Sequence, residues 1–465
     1  MKRFWLVLLS LGLIVAFSTS AMAVDVKFSG EYYAAGMYLD KTTLNKDVFQ
    51  TNPGPPPVYQ AAGQSTAFFF QRLRLNSEFV VSPGLSLITR ADIMERAWGA
   101  NRSNVPLVTS NDQLSAGTRA ENENIVFDLA YLRYISPIGI FFAGYQIDGA
   151  YGTTFGDSSN PVGKIGYMFV KNGFYVGVQM GKNQGGENSY TQINPLVNAA
   201  DRDSTFYTAY VNYVWKTGAA GILYKFIRTA GNRALLGDNG FQTKAHVITP
   251  FVKAQLGPVA LQAQLYHAFG QAQQWEGSAF GNQGDARLSQ LGAWIDATGN
   301  FGMFSVGGSV AYLSGNDPGD GVNILGVPNV NRAFNGGLDW NPCLILFNSD
   351  LNYWAGTQAG YGANNGLGMS NAWFGQIRGG VKPTDKLDIG LAISYANAVV
   401  KPSAAWLYND YGYEADLTAT YKITNNLSYM LGAGYLFTGK YFKGVGDTNQ
   451  LNNDYLLINK LTLNF

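Results

Sequence analysis

The stretch from Tyr411 to Gly439 reads YGYEADLTATYKITNNLSYMLGAGYLFTG and decides the fold. Apolar and polar residues alternate on both sides of Thr424-Asn425-Asn426, a segment with the composition of a turn. Successive side chains of a strand point to opposite faces, so each half is a strand with one apolar face. Each half has roughly eleven residues, which is the length a tilted strand needs to cross a bilayer. The stretch therefore predicts a membrane-spanning β-hairpin.

The apolar face of this hairpin carries aromatic residues near its ends and small residues in its middle. Its aromatic members are Tyr413, Tyr421, Tyr429, Tyr435 and Phe437. Girdles of aromatic residues at the two membrane interfaces are typical of the lipid-facing surface of a transmembrane barrel.

The composition of the whole chain agrees with such a barrel. The chain has 465 residues, of which 14% are charged, compared with roughly 25% in a soluble domain. Mean hydropathy is −0.05, and after residue 23 no apolar run approaches the roughly 18 residues of a spanning helix. Alternating strands explain both observations, because their apolar and polar residues average out. The net charge of +1 becomes −1 without Lys2 and Arg3 (30 basic against 31 acidic residues), so nothing indicates nucleic acid as a partner.

Residues 1–23 have the pattern of a cleaved secretory signal peptide. Lys2-Arg3 forms the basic region, Phe4 to Phe17 the apolar region, and Ala21-Met22-Ala23 the cleavage motif. The mature chain is expected to begin at Val24. A membrane anchor is the alternative, but the run is short and its flanks fit cleavage.

Eighteen candidate strands follow in residues 24–465. They cover 25–40, 66–81, 85–97, 124–136, 139–149, 162–171, 174–183, 204–215, 219–229, 244–256, 259–269, 288–298, 301–314, 371–382, 387–398, 411–424, 427–438 and 454–465. Short turns alternate with long polar loops, and both termini fall on the short-turn side. This rhythm predicts a single all-β domain, an 18-stranded antiparallel transmembrane β-barrel with short periplasmic turns and long extracellular loops. A soluble sandwich or solenoid explains neither the loop rhythm nor the lipid-suited face.

Two strands conflict with a regular register. Asp128 and Arg133 fall on opposite faces of one strand, which indicates a bulge or a misplaced boundary. Pro250 lies inside another strand, and a closed barrel has no free edge for it, so a bulge is expected there too.

The last strand ends Leu461-Thr462-Leu463-Asn464-Phe465, and another strand contains Gly144-Tyr145-Gln146-Ile147-Asp148-Gly149. The first feature resembles the assembly signal of Gram-negative outer-membrane proteins. With the second, the chain resembles the large porins, in particular those of metal-reducing deltaproteobacteria. The resemblance implies an outer-membrane location among lipid and lipopolysaccharide, assembly through Phe465, and passive diffusion of small hydrophilic solutes. We expect Phe465 to pair beside the first strand near Val26 and Phe28.

Motifs for catalysis or cofactor binding are missing from the sequence. There is no G-x-S-x-G, H-E-x-x-H, phosphate loop or dinucleotide fingerprint. The single cysteine, Cys343, excludes an internal disulfide, and no Cys–Cys or Cys–His pattern indicates zinc or haem. His246 and His267 are the only histidines. The strand alternation places both on the lipid-facing side, which indicates interfacial side chains rather than a metal site. We therefore expect no enzyme activity, cofactor or metal.

The polar faces of the strands offer candidate pore-lining charges. On the hairpin 66–97 we expect Arg74 to lie across from Asp92. The pore-lining candidates are Arg72, Arg74, Arg90, Asp92, Arg96, Asp148 and Arg378. Charged side chains set ion selectivity in aqueous pores, and the arginines suggest a modest anion preference. The alternative is that these charges satisfy one another and solvate the wall.

The longest connection, 315–370, is the candidate constriction loop. Its aromatic and apolar content argues against disorder and against an exposed position. The candidate residues are Trp340, Cys343, Phe347, Tyr353 and Trp354. The apolar segment can bury itself against the inner wall, among other loops, or in a neighbouring subunit. An inward fold needs no partner and ranks first, with 150–161 as a second candidate constriction.

The function predicted from sequence is a water-filled channel for small polar solutes or ions. The alternative is a barrel that sheathes a separate electron-transfer or secretion partner. The sequence neither predicts nor excludes a homo-oligomer.

Overall fold

The computed structural model describes residues 24–44, 46, 49–52, 58–60, 65–99, 125–184, 203–231, 240–275, 284–323, 326–355 and 370–465. The expected signal peptide, residues 1–23, lies outside the described residues.

Strands make up most of the described chain. In order they are β1 Asp25–Leu39, β2 Phe49–Asn52, β3 Val58–Gln60, β4 Thr66–Ser82, β5 Leu85–Ala97, β6 Ile125–Ser136, β7 Gly139–Asp148, β8 Asn160–Lys171, β9 Phe174–Gln184, β10 Ser204–Trp215, β11 Gly218–Thr229, β12 Phe241–Leu256, β13 Val259–Trp275, β14 Ala286–Phe301, β15 Phe304–Leu313, β16 Val330–Asn331, β17 Ala372–Thr384, β18 Leu387–Ala398, β19 Asp410–Lys422, β20 Leu427–Thr438 and β21 Asp454–Asn464. One helix, α1, spans Ser349–Ala355, and short 3-10 helices span Pro318–Asp320 and Lys440–Lys443. No described helix is long and apolar enough to cross a bilayer.

Eighteen of these strands form one closed antiparallel ring. Each pairs with its neighbours in chain order, and β1 closes the ring by pairing with both β4 and β21. The short strands β2 and β3 pair only with each other, while β16 attaches to β14 in parallel. The predicted 18-stranded antiparallel barrel is confirmed.

The connections repeat the predicted rhythm, with one displaced turn. The turn between β14 and β15 lies at Gly302-Met303, not at Gly299-Asn300. Gly302 has φ +62°, a left-handed conformation that glycine adopts without a Cβ penalty. The sequence pattern did not reveal this, because both sites contain a glycine.

The two suspected irregularities have different outcomes. The register of β5 with β6 shifts at Asp128, which is the extra residue of a bulge, as predicted. The bulge expected at Pro250 is wrong: β12 keeps one register with β13 on both sides of it, from Ile248–His267 to Phe251–Gln264. The proline removes an N–H donor without inserting a residue, so the strand tolerates it locally.

The outer surface of the barrel is apolar. Leu417 is 50% exposed and Ile377 is 68% exposed, whereas the alternate residues Glu414 and Gln376 point inward and are buried. On β19 the apolar row runs from Tyr413 to Tyr421, and at about 3.4 Å per residue and a tilt of about 40° it spans about 21 Å of membrane. This band fits the hydrocarbon layer of an outer membrane.

Barrel closure differs in register from the expectation. The backbone N–H of Phe465 donates to the Gly30 carbonyl (3.1 Å), and the Gly30 N–H donates back to Phe465 (2.8 Å). Pairing near Val26 and Phe28 is therefore wrong by two to four residues. Alternation fixes which face a residue takes, but it does not fix the stagger between the first and last strands.

Candidate functional site

The interior of the barrel holds a cavity of about 1230 Å³. The cavity is lined by strands on both sides of the closure between β1 and β21. Residues from 338–354, in the loop between β15 and β17, also line it. It extends to Asp388, the second residue of β18 and close to the short-turn end. Water-sized solutes therefore have space over much of the depth of the barrel.

Four arginines line this cavity, and three of them, Arg72, Arg74 and Arg90, face carboxylates on the same wall. The Arg74 guanidinium donates two hydrogen bonds to Asp92 (2.7 and 2.6 Å), at the cross-strand position that the hairpin register predicts. Arg90 donates to Asp128 (3.0 Å). Such bidentate and charge-assisted bonds fix the guanidinium groups in place.

Arg72 lies between two carboxylates, Glu31 at 3.5 Å and Glu95 at 3.6 Å. The arginine wall is therefore a ladder of ion pairs rather than a free positive surface.

A bulge alters this wall near the end of β5 that lies away from the short turn between β4 and β5. The register of β4 with β5 shifts between Gln71 and Leu73, and Met94 has φ +52°. The irregularity reverses the alternation, so that Glu95 lines the cavity while Arg96, which is buried, does not. The prediction that Arg96 lines the pore assumed an unbroken alternation of β5.

The other two candidates lie on separate parts of the wall. Arg378 lines the large cavity and donates to Asp296 (2.5 Å) and Thr298 (2.7 Å). Asp148 lines a second cavity of about 380 Å³ and pairs with Lys225 and with Lys164 (3.6 Å).

Residues 338–355 lie inside the barrel and contact its inner wall. Trp354 of α1 stacks on Phe70 of β4, with ring centroids 4.4 Å apart. Trp340 packs edge-on against Phe374 of β17 (5.7 Å), and Phe347 packs against Tyr411 of β19 (5.2 Å). Tyr353 lines the large cavity, as does Cys343, which is 4% exposed.

A buried carboxyl group holds the backbone of this loop. Glu414 of β19, 1% exposed, accepts the backbone N–H groups of Ile345 and Leu346, both at 2.7 Å. The Gln376 amide donates to the Pro342 carbonyl (2.7 Å). These bonds satisfy loop backbone groups that would otherwise be buried without partners. The sequence indicated that Glu414 faces inward, but not that it binds a loop some 70 positions earlier.

The loop between β7 and β8, residues 149–159, also crosses the interior. Gln264 of β13 donates to the Tyr151 carbonyl (2.8 Å) and accepts the Thr153 N–H (3.0 Å). Four strands lie between β8 and β13 around the wall. The loop therefore folds inward and lies against the wall as far as β13.

The two inward loops are joined by backbone hydrogen bonds. Gly156 donates to Gly336 (2.8 Å), and Asp339 donates to the Asp157 carbonyl (3.0 Å). Gly337, with φ +81°, allows this approach, because a Cβ there would lie 2.2 Å from the Asp157 carbonyl oxygen. Ser158 and Leu338 border the large cavity, and Gly156 and Asp157 border the small one. The joined loops thus separate two compartments.

Charges around the large cavity are mixed, with a small excess of acid. Among the described residues its lining includes five basic and seven acidic side chains. The basic ones are Arg72, Arg74, Arg90, Arg378 and Lys460; the acidic ones are Asp92, Glu95, Asp128, Asp339, Asp350, Asp388 and Asp416. Burial raises the pKa of Asp350 in α1, which reduces its charge, while Lys460 and Arg72 oppose the rise.

Comparison with known proteins finds no match to a protein-family model and no match among curated proteins. Similar solved structures include the outer membrane channel DcaP of Acinetobacter baumannii, at 11% identity over 96% of this chain and 99% of that chain, with a TM-score of 0.43. OccK11 (OpdR) of Pseudomonas aeruginosa is similar at 12% identity over 94% and 96%, with a TM-score of 0.46. An anion-selective porin from Comamonas acidovorans is similar at 10% identity over 95% and 99%, with a TM-score of 0.42. We infer neither a solute nor an ion preference from similarities of this size.

Proposed function

We propose that this chain is an outer-membrane channel for passive diffusion of small hydrophilic solutes or ions. The observation that carries the proposal is the cavity of about 1230 Å³, lined by charged side chains, inside a ring of strands whose outer face is apolar. A barrel of this size leaves an aqueous lumen instead of a packed core. Its narrowest part is where the two inward loops meet.

The remaining features belong to the same proposal. Residues 1–23 direct export, outer-membrane lipid and lipopolysaccharide surround the apolar band, and the assembly machinery recognises Phe465. The resemblance to the porins of metal-reducing deltaproteobacteria rests on the residues quoted for it. A homo-oligomer is compatible with the closed ring. The sheathing alternative needs an open bore, and residues 149–159 and 338–355 occupy that space.

Planar-bilayer recording of the refolded full-length protein tests the proposal. We expect discrete conductance steps in the purified protein alone, because the pathway lies within one chain. Closed barrels that insert into the bilayer without conductance steps would contradict it. Stoichiometric co-purification of a second protein, together with silent barrels, would favour the sheathing function instead.

A further inference from the structure

Three potential metal ligands meet where the inward loop touches the wall. The Sγ of Cys343 and one carboxylate oxygen each of Glu414 and Asp416 all lie within 4.8 Å of one another, and all three residues are buried. Cys343 comes from the loop, and the two carboxyl groups are successive inward side chains of β19. The three residues are called the Cys343 cluster below.

Among the described residues, neither carboxyl group forms an ion pair with a basic side chain. Ion pairs described along the inner wall serve other carboxylates, such as Asp92, Asp128 and Asp296, and none of them reaches Glu414 or Asp416. Two adjacent buried carboxylates repel each other, so either a shared proton or a bound cation must neutralise them.

One oxygen of the cluster is unused. Asp416 is 6% exposed, and within the described part of the chain its Oδ1 is buried with no donor other than the neighbouring Glu414 carboxyl, while its Oδ2 accepts the Leu344 N–H at 3.4 Å. Native proteins rarely leave such an atom unsatisfied, and a bound ion is one of the usual reasons for an exception. This orphaned oxygen points to a missing ligand, independently of how close the three residues lie.

We propose that the Cys343 cluster binds a thiophilic divalent cation of the zinc class, which clamps the inward loop to β19. A thiolate with two carboxylates suits Zn²⁺ or Cd²⁺, whereas Mg²⁺ and Ca²⁺ prefer oxygen ligands alone. Bond lengths of about 2.0–2.3 Å require ligand separations of about 3.3–3.8 Å, so the side chains need to close by about 1 Å.

The cation has a route to the cluster. Cys343 and Asp416 both line the large cavity, so the cluster adjoins the lumen. Water from the cavity can supply the fourth ligand of a tetrahedral site.

Titration of the refolded full-length protein with Cd²⁺ tests the proposal. The ultraviolet charge-transfer absorption of a Cd–thiolate bond should saturate at one ion per chain and should disappear in Cys343→Ser. Asp416→Asn should weaken the affinity about tenfold or more, because it replaces the unused ligand oxygen. Asp350→Asn is the matched control, since this carboxyl lies in the same loop outside the cluster, and it should leave the affinity unchanged.

Two results would overturn the proposal. One is the absence of a charge-transfer band in the folded protein. The other is equal Cd²⁺ affinity in the wild type and Asp416→Asn, because equal affinities would mean that the thiol binds the ion without the carboxylate. Competition in the wild-type protein gives a reading that does not depend on any variant folding. Zn²⁺ should displace Cd²⁺ and protect Cys343 from thiol reagents, whereas Mg²⁺ at the same concentration should do neither. Equal displacement by Mg²⁺ would also overturn it.

Discussion

Asp157 is a carboxyl group placed at the junction of the two inward loops. Burial raises its pKa to about 7; the Asp339 carboxylate adds to the rise, while the hydrogen bond from the Tyr151 N–H and the charge of Lys253 oppose it. As the pH rises, the folded protein keeps the proton of Asp157 to a higher pH than the unfolded chain does, because aspartate in an unfolded chain has a pKa of about 3.9. This contribution to stability is complete below about pH 4 and is lost as the pH rises through about 7.

Asp157→Asn should therefore flatten the pH dependence of stability. Between about pH 5 and pH 8 the thermal unfolding midpoint of the wild type should fall, and that of the variant should fall less, because asparagine does not ionise. Circular dichroism melting in detergent measures both. Asp385→Asn removes an exposed carboxyl in a short turn and should keep the wild-type slope. Parallel slopes for wild type and Asp157→Asn would contradict the buried proton.

Arg72, Arg74 and Arg90, called the arginine ladder below, lead to a prediction about ion selectivity. Replacing Arg72, Arg74 and Arg90 with Gln removes three positive charges that pair with Asp92, Glu95 and Asp128 in the cavity wall. The lumen should then favour cations, because pore charges act on ions at separations where screening is incomplete. The reversal potential in a salt gradient should shift toward the cation equilibrium potential.

The matched control for the ladder is Arg332→Gln. This residue pairs with Asp320 (2.6 Å) in the loop between β15 and β17, and neither residue lines the cavity. Its reversal potential should equal that of the wild type. If the triple variant also keeps the wild-type value, the ladder is structural and the ions pass elsewhere.

Sequence reasoning at this scale succeeded wherever a strand is regular. Arg74 and Asp92 could be paired because alternation and one short turn fix their register. The bulge at Met94, which leaves no clear mark in the sequence, places Glu95 rather than Arg96 among the residues of the large cavity. The partners of Glu414 were also out of reach, because a contact between a strand and a distant loop has no periodicity to reveal it.

At the scale of elements, hydrogen bonds of its own Asn348 stabilise the loop containing α1 inside the barrel. Asn348 accepts the Leu351 N–H at the start of α1 (2.8 Å) and donates to the Cys343 carbonyl (2.8 Å). Trp340, Phe347 and Trp354 are each at most 5% exposed. The apolar composition of 315–370 indicated burial, but it could not choose among the inner wall, the other loops and a neighbouring subunit.

Trp354→Ala should loosen this loop. The substitution removes the stacking on Phe70 and leaves a cavity, at a typical cost of about 3–5 kcal/mol. Cys343 should then react faster with a bulky thiol reagent, and the single-channel conductance should rise. Removal of the whole segment 338–355 should give the larger increase in conductance.

Trp373→Ala serves as the control for the loop. Trp373 is 51% exposed on the outer face of β17, so the same change in side chain should alter neither labelling nor conductance. Rapid labelling of Cys343 in the wild type, combined with unchanged conductance in Trp354→Ala, would place this loop outside the conduction pathway.

At the scale of the whole molecule, closure depends on one strand pair that joins the two ends of the chain. β1 and β21 pair from Glu31–Asn464 to Leu39–Leu456, and Phe465 continues the pairing to Gly30. The number of strands and their order could be predicted from turns and loops. The stagger of the closing pair could not, because it depends on the tilt and shear of all the strands together.

Gly30 is the position where closure should be most sensitive to a single methyl group. A Cβ there would lie 2.7 Å from the Phe465 ring and 2.6 Å from the Arg74 carbonyl oxygen, so Gly30→Ala must displace the terminal ring or the strand. Overpacking of this kind typically costs about 1–3 kcal/mol. After refolding, a smaller fraction of the variant should run as the compact barrel form on unheated gels, and its unfolding midpoint should fall.

Gly375→Ala provides the matched comparison, because this strand glycine on β17 has open space where its Cβ would be and no left-handed backbone. It should fold as the wild type does, or be more stable by about 0.4–1 kcal/mol, since alanine restricts the unfolded chain. The difference between the two variants isolates the closing contact from the general effect of a strand glycine. Equal barrel yields and midpoints for Gly30→Ala and Gly375→Ala would show that the packing of Phe465 on Gly30 does not govern closure.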